Sequence, residues 1–203
     1  MGDPRIERWL AALLATPGLT AIGDLAQARR THVEDVLTAA DLLERGPVVD
    51  VGSGGGSPGI PLAAARPELD FVLLEATRRK CAFLEQQAVG FQNVQVVCVR
   101  AEKHGAREGR EMYGAALARA LATPPVALEW CLPLVAVGGL CILYAGVVEE
   151  DLSGVSAELG GGPPELVPVA GSERRSLLVV RKVEPTPDRF PRRGGAARKR
   201  PLR

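Results

Sequence analysis

Aromatic side chains are scarce in this chain. Phe, Trp and Tyr make up 4% of 203 residues, so Ala, Val and Leu must fill the core that a 46% hydrophobic composition provides. Histidine is scarcer still, with only His32 and His104. No acidic cluster has ligand spacing either, so no metal site is indicated. The four cysteines, Cys81, Cys98, Cys131 and Cys141, lie in apolar surroundings without C-x-x-C spacing. They are expected to be buried free thiols, not zinc ligands or disulfides. No apolar stretch reaches the roughly 18–20 residues of a membrane span. The opening residues MGDPRIER lack the apolar core of a signal peptide. These absences predict a soluble cytoplasmic protein, a single domain with short extensions. Nothing signals oligomerisation, so a monomer is expected.

Charge is present but unevenly placed. From Asp188 to Arg203 there are seven basic residues and one acid, which puts this tail at +6 and the rest at −5 within a total of +1. A mildly acidic body with a basic end suggests a polyanionic partner.

Periodicity organises the rest. Ile6, Trp9, Leu10, Leu13 and Leu14 fall at helical spacing before Pro17-Gly18. A second amphipathic helix is expected over about 31–44, capped by Thr31 and ended by Gly46-Pro47. Apolar strand-like runs at 48–51, 71–75, 94–99, 115–118 and 140–144 then alternate with helical stretches at 60–65, 77–89, 124–132 and 148–159. Continuously apolar strands alternating with helices predict an α/β fold, a parallel sheet covered on both faces. Two final strands near 165–169 and 176–182 have too short a connection for a parallel crossover, so they form an antiparallel hairpin. A Rossmann-like, mostly parallel sheet with such a hairpin is the pattern of class I methyltransferases. The expected divisions are an N-terminal helical segment (1–46) packing on the core, the core itself (47–184) and a basic tail (185–203).

The most informative stretch is VDVGSGGGSPGIP at 49–61. A strand that turns through glycines into a helix start suits a nucleotide-like ligand, because backbone N–H groups are left open and no side chain blocks approach. Glu75 ends the second strand, 23 positions after Gly52. An acid there can accept hydrogen bonds from both ribose hydroxyls. Counting from Gly52, glycine recurs at the fifth position, whereas a pyrophosphate-binding turn has it at the sixth. Asp50 would repel a pyrophosphate but favour a cationic sulfonium and ammonium. Both features favour S-adenosylmethionine over a nicotinamide cofactor.

This stretch resembles the motif of the RsmG (GidB) family, bacterial methyltransferases acting on guanine N7 of small-subunit (16S) ribosomal RNA. Further segments agree in order: RRKCAFL at 78–84, RAE at 100–102, ARAL at 118–121, and ERR at 173–175 followed by PTPDRFPRRGG at 185–195. The last is more specific than any glycine loop, and the resemblance runs from about Leu19 to Leu202. It implies that Asp50, Gly52, Ser53, Gly54, Gly56 and Ser57 surround the methionine part of S-adenosylmethionine, with Glu75 on the ribose and Ala101 and Glu102 against the adenine. Arg119 is implied at the cofactor or the target base, the one candidate for a catalytic role. His32 matches a family histidine. Arg174, Arg175, Arg189, Arg192, Arg193, Arg198, Lys199 and Arg200 are implied in binding ribosomal RNA, with Phe190 stacking on a base or packing on the domain. Methylation at N7 removes no proton, so no strong general base is needed, and alignment and electrostatics carry the reaction.

Three positions depart from the family pattern. Ser57 stands where a large apolar residue is usual, Gly114 where an acid is expected at the fourth strand, and Ala145 where a lysine precedes Gly146. The missing lysine supports an alternative, a non-catalytic RNA-binding relative that keeps the fold and the cofactor site.

Overall fold

The structure is a computed structural model, and it describes residues 2–169 and 175–203. Its strands are β1 (Val48–Val51), β2 (Phe71–Glu75), β3 (Val94–Cys98), β4 (Tyr113–Arg119), β5 (Val135–Ala145), β6 (Glu165–Pro168) and β7 (Ser176–Arg181). They form one seven-stranded sheet in the order β3-β2-β1-β4-β5-β7-β6. The first five are mutually parallel, while β7 runs antiparallel to both β5 and β6. The Rossmann-like α/β sheet with its terminal hairpin is the expected architecture.

Alternation along the strands separates two cores. Val48, Phe71, Leu73, Leu117 and Ile142 point to one face, where they meet α1 (Pro4–Ala15), α3 (Gly59–Ala65) and α4 (Arg78–Ala88). Val49, Leu74, Ala116, Cys141 and Leu143 point to the other, against α6 (Pro124–Cys131), α7 (Ser153–Glu158) and Phe190. Each inner strand is therefore apolar on both sides. Asp3 caps α1 by accepting the Arg5 N–H at 2.8 Å, and Pro4 occupies the first turn, where its missing N–H costs nothing.

The second helix differs from expectation. It begins earlier, as α2 (Leu25–Arg29) with Asp24 rather than Thr31 as cap, widens into a π turn at Arg30–Glu34, and tightens into a 3-10 stretch at Val36–Leu42. Apolar spacing marks the buried face but not the winding. The π turn is what leaves the Thr31 and His32 carbonyls to side-chain donors. Two short helices, α5 (Ala101–Gly105) and α8 (Ala196–Lys199), have no periodic signal of their own.

The cysteine expectation is corrected. Cys81 and Cys98 are joined as a disulfide, with Cα atoms 5.9 Å apart, and Cys98 is exposed. Parallel pairing sets Cys98 beside Glu75, and so beside the first turn of α4, a juxtaposition that spacing along the chain cannot reveal. Cys131 and Cys141 are the buried free thiols that the composition suggested.

The basic end of the chain is folded onto the body as a strap. Phe190 and Ala197 are buried. Arg110 donates to the Phe190 carbonyl at 2.8 Å and also reaches the Thr186 carbonyl. Fully buried Lys182 donates to the Leu132 and Leu159 carbonyls and to Thr186 Oγ1, with Glu111 3.5 Å away. Burial pushes its pKa down to about 8. Arg192 forms an ion pair with Glu129, whose side chain is completely buried.

Candidate active site

The carboxyl end of β1 runs straight into the glycine turn. Gly52 has φ +73°, and a Cβ there would sit 2.5 Å from the Leu121 side chain, so both conformation and space demand glycine. Its N–H donates to the Leu74 carbonyl at 2.7 Å, which locks the turn onto β2. Trp9 donates its indole N–H to the Gly55 carbonyl at 2.8 Å, so α1 also braces this loop. Asp50 is buried below the turn. One carboxyl oxygen accepts the Gly59 N–H at 3.1 Å, and the other has no partner among the described residues. Burial pushes its pKa up to about 7, against the pull of the Gly59 bond and the Arg119 charge. The Ser53 hydroxyl donates to the Asp50 carbonyl at 2.8 Å.

Glu75 sits at the end of β2 with its carboxylate fixed over the turn. It accepts N–H bonds from Gly54 (3.0 Å), Ala76 (2.9 Å) and Thr77 (2.8 Å). It lines a cleft of about 460 Å³ whose other walls include Ala101, Glu102, Leu121 and Trp130, with Gly195 and Arg198 contributed by the strap. The Arg198 guanidinium lies 5.1 Å above the Trp130 ring. Four of the implied cofactor positions, Gly52, Glu75, Ala101 and Glu102, thus share one cavity.

A second compartment of about 210 Å³ continues it past Gly52, Lys80 and Ala120, and is lined by Ser53, Gly54, Ser57, His32 and Arg119. Arg119 Nη1 donates to Ser57 Oγ at 3.0 Å and to the Thr31 carbonyl at 2.8 Å. Ser57 in turn donates to the His32 carbonyl at 3.0 Å. The departure at Ser57 is therefore a polar link that holds Arg119 against the N-terminal segment, which a large apolar side chain could not make. His32 Nε2 lies 2.9 Å from Thr20 Oγ1. Burial, with the nearby Arg119 charge, pushes its pKa down to about 4, which keeps the ring neutral at pH 7.

A third groove of about 320 Å³ opens beyond the ends of β4 and β5. Arg119, Ala120, Tyr144 and Ala145 line it together with Asp35 and Arg175, which form an ion pair. Tyr144 donates to the Val36 carbonyl at 2.6 Å, and burial raises its phenol pKa above the ordinary value. Ala145, where the family lysine is missing, faces a groove that already holds two arginines. All three cavities border Ala120, a non-glycine residue at φ +52°. Strained backbone of this kind persists only where its surroundings over-determine it.

The other assigned residues scatter. Gly56 (φ +98°) shapes the turn beside Trp9 and Ile60, and a Cβ there would meet Ile60 at 2.5 Å. Gly114 has a structural account too, since a Cβ would meet the Arg45 carbonyl oxygen at 2.4 Å and no acid fits. Arg174 lies outside the described residues. Among the arginines assigned to RNA, Arg175, Arg189 and Arg192 pair with Asp35, Glu158 and Glu129. Arg193, Lys199 and Arg200 are exposed. Lys80, Ala120 and Trp130 received no role from sequence. Lys80 lay within the matched 78–84 segment, but nothing local marks it as facing the turn.

The strand order, the glycine turn after β1 and the acid ending β2 define a class I S-adenosylmethionine-dependent methyltransferase. Solved structures agree in fold. The S-adenosylmethionine-dependent methyltransferase SibL in its apo form matches with TM-score 0.64 at 13% identity, covering 86% of this chain and 62% of that one. A putative S-adenosyl-L-methionine-dependent methyltransferase from Methanococcus maripaludis matches with TM-score 0.59 at 13% identity, over 79% of this chain and 91% of its own. Sequence narrows the class. The family model "GidB: rRNA small subunit methyltransferase G" matches residues 7–157. Ribosomal RNA small subunit methyltransferase G of Moorella thermoacetica is 39% identical over 197 residues, 91% of this chain and 82% of that protein. The Rubrobacter xylanophilus protein of the same name is 42% identical over 191 residues, 84% and 73% respectively. The chain belongs to the rRNA small subunit methyltransferase G (GidB) family.

Proposed function

We propose that this protein transfers the methyl group of S-adenosylmethionine to N7 of a guanine in small-subunit ribosomal RNA, acting in the cytoplasm as a monomer without a metal ion. The observation that carries this reading is the convergence of three cavities on Ala120, a nucleoside-sized cleft, a narrow compartment at the glycine turn, and an open groove beside it. Two substrates meeting at one point need that arrangement. The residues suit the cofactor: Glu75 offers acceptors to hydroxyl groups, and Leu121 and the Trp130 ring offer apolar walls, while Asp50, buried and outside the cavity linings, supports the turn from beneath through the Gly59 N–H. Lys80 and Arg119 supply cations for a carboxylate, and the bound cofactor supplies an activated methyl group.

Guanine N7 attacks with a lone pair and has no proton to lose, so the protein's task is alignment. Arg119, anchored to Ser57 and Thr31, is the charged residue that lines both the narrow compartment and the open groove, and we assign it to orienting the acceptor base. Neutral His32 backs it from the N-terminal segment. Relatives named for action on small-subunit ribosomal RNA support the substrate. The test is methyl transfer to isolated small ribosomal subunits with the modified base mapped, alongside calorimetric titration with S-adenosylhomocysteine and NAD. Tight homocysteine-ligand binding and one N7-methylguanine are expected. Cofactor binding without incorporation would favour the non-catalytic relative, and tight NAD binding would overturn the cofactor.

A further inference from the structure

Half of the strap's six arginines, Arg189, Arg192 and Arg198, are engaged by the body, yet a basic surface exists beside them. Arg100, Lys103 and Arg107 recur at i, i+3 and i+7, which brings them to one face of α5 and the turn that follows. Across from them the strap presents Arg193. Together they line a groove of about 450 Å³, which the small residues Ala106 and Gly194 also line. All four cations are exposed. None makes an ion pair with a described residue, in contrast to Arg110, Arg189 and Arg192 close by. Glu102 is the one carboxylate in the lining. Arg100 and Glu102 also line the cofactor cleft, so the groove continues the site instead of standing apart from it.

We infer that this groove between α5 and the strap binds the sugar–phosphate backbone of the substrate RNA, at nucleotides away from the target base. The inference rests on the proposed RNA substrate and adds Lys103 and Arg107, on the body of the protein, to the binding surface. Four exposed cations, unpaired among the described residues and gathered around one groove, complement a single strand of phosphates. Unpaired guanidinium groups can meet phosphates two-pronged without first giving up a protein partner. Such contacts position the RNA and carry no sequence information.

The test compares full-length wild type with Lys103→Gln/Arg107→Gln, and with Arg8→Gln/Arg45→Gln as a control that removes the same charge from the opposite, N-terminal edge of the parallel strands. S-adenosylhomocysteine affinity, RNA affinity across a salt series, and KM and kcat on small subunits are measured. The groove variant should keep homocysteine-ligand affinity within about twofold. Its RNA affinity should fall by about tenfold or more near physiological salt, with the slope of log K against log salt shallower by about 1.4, at about 0.7 per single-strand phosphate contact. KM for the subunit should rise while kcat holds. Equal loss on an unrelated RNA of the same length supports a phosphate track. Unchanged RNA affinity and slope, or the same loss in the control, overturns it. A wild type that binds neither S-adenosylhomocysteine nor RNA would sink the proposed function itself, and binding of the cofactor product alone would sink the RNA assignment.

Discussion

Replacing Arg192 with Met tests whether the strap closes the cofactor cleft. Its guanidinium donates to Glu129 Oε1 at 2.9 Å and to Oε2 at 2.5 Å, and its backbone N–H adds a bond to Oε1 at 3.1 Å. The carboxylate is fully buried, while the Arg192 side chain keeps 27% exposure. Arg192→Met therefore strands a charge in the interior, at an ordinary cost of about 3–5 kcal/mol. Water at the open side of the pair softens this, so a loss of about 3 kcal/mol is expected. A Glu129→Gln/Arg192→Met double variant removes the stranded charge and should recover at least about 1 kcal/mol. Gly195 and Arg198 wall the cleft a few residues beyond this anchor. Its loss should weaken S-adenosylhomocysteine binding about tenfold, or about 1.4 kcal/mol. Urea unfolding of the three proteins and calorimetric titration give both numbers. Stability within about 0.5 kcal/mol of wild type would refute the role of the pair. A destabilised variant with unchanged cofactor affinity would detach the strap from the cleft.

Glu75→Gln should weaken S-adenosylhomocysteine binding by about 1.5–3 kcal/mol, the range for hydrogen bonds to a charged group, as read by calorimetry. Glu75→Ala should lower stability as well, because three backbone N–H groups lose their acceptor. Asp50 and His32 oppose each other in pH dependence. Asp50, raised to about 7, makes the fold less stable as pH climbs from the ordinary carboxylate range toward 7, whereas His32, lowered to about 4, makes it more stable as pH climbs from 4 to 6.5. Asp50→Asn should therefore gain stability at pH 8 and show a steeper rise between pH 4 and 6.5. Denaturant midpoints that fall over that window would contradict the assignment. Cys98→Ser should cost about 3 kcal/mol under oxidising conditions, from the loop closed between Cys81 and Cys98. With reductant present the difference should vanish in parallel melts, and a persistent gap would mean that packing, not the crosslink, is responsible.

Much of the site was readable because it is local. Strand, glycine turn and helix start are consecutive, and Glu75 follows from the next strand's end, so short-range spacing suffices to place Gly52 and Glu75 in one cleft. Ser57 was readable as an oddity but not as a link, since its partners, His32 and Arg119, come from 25 and 62 positions away. The π turn that frees their neighbouring carbonyls leaves no trace in apolar spacing. Lys80 and Trp130 face the cleft only because β2 and β4 lie on either side of β1.

The glycine turn and the arginine-rich ending were determined by the sequence alone: a methyltransferase sheet, its cofactor, and a family that modifies ribosomal RNA. Composition could show that the tail is basic but not where its charges go. Tertiary structure decided that. Ion pairing is a contact between distant segments, so only the fold could give Arg192 to Glu129 and Arg175 to Asp35 while leaving Lys103, Arg107 and Arg193 exposed around one groove. The same holds for Cys81 and Cys98, which strand register brings together and spacing does not.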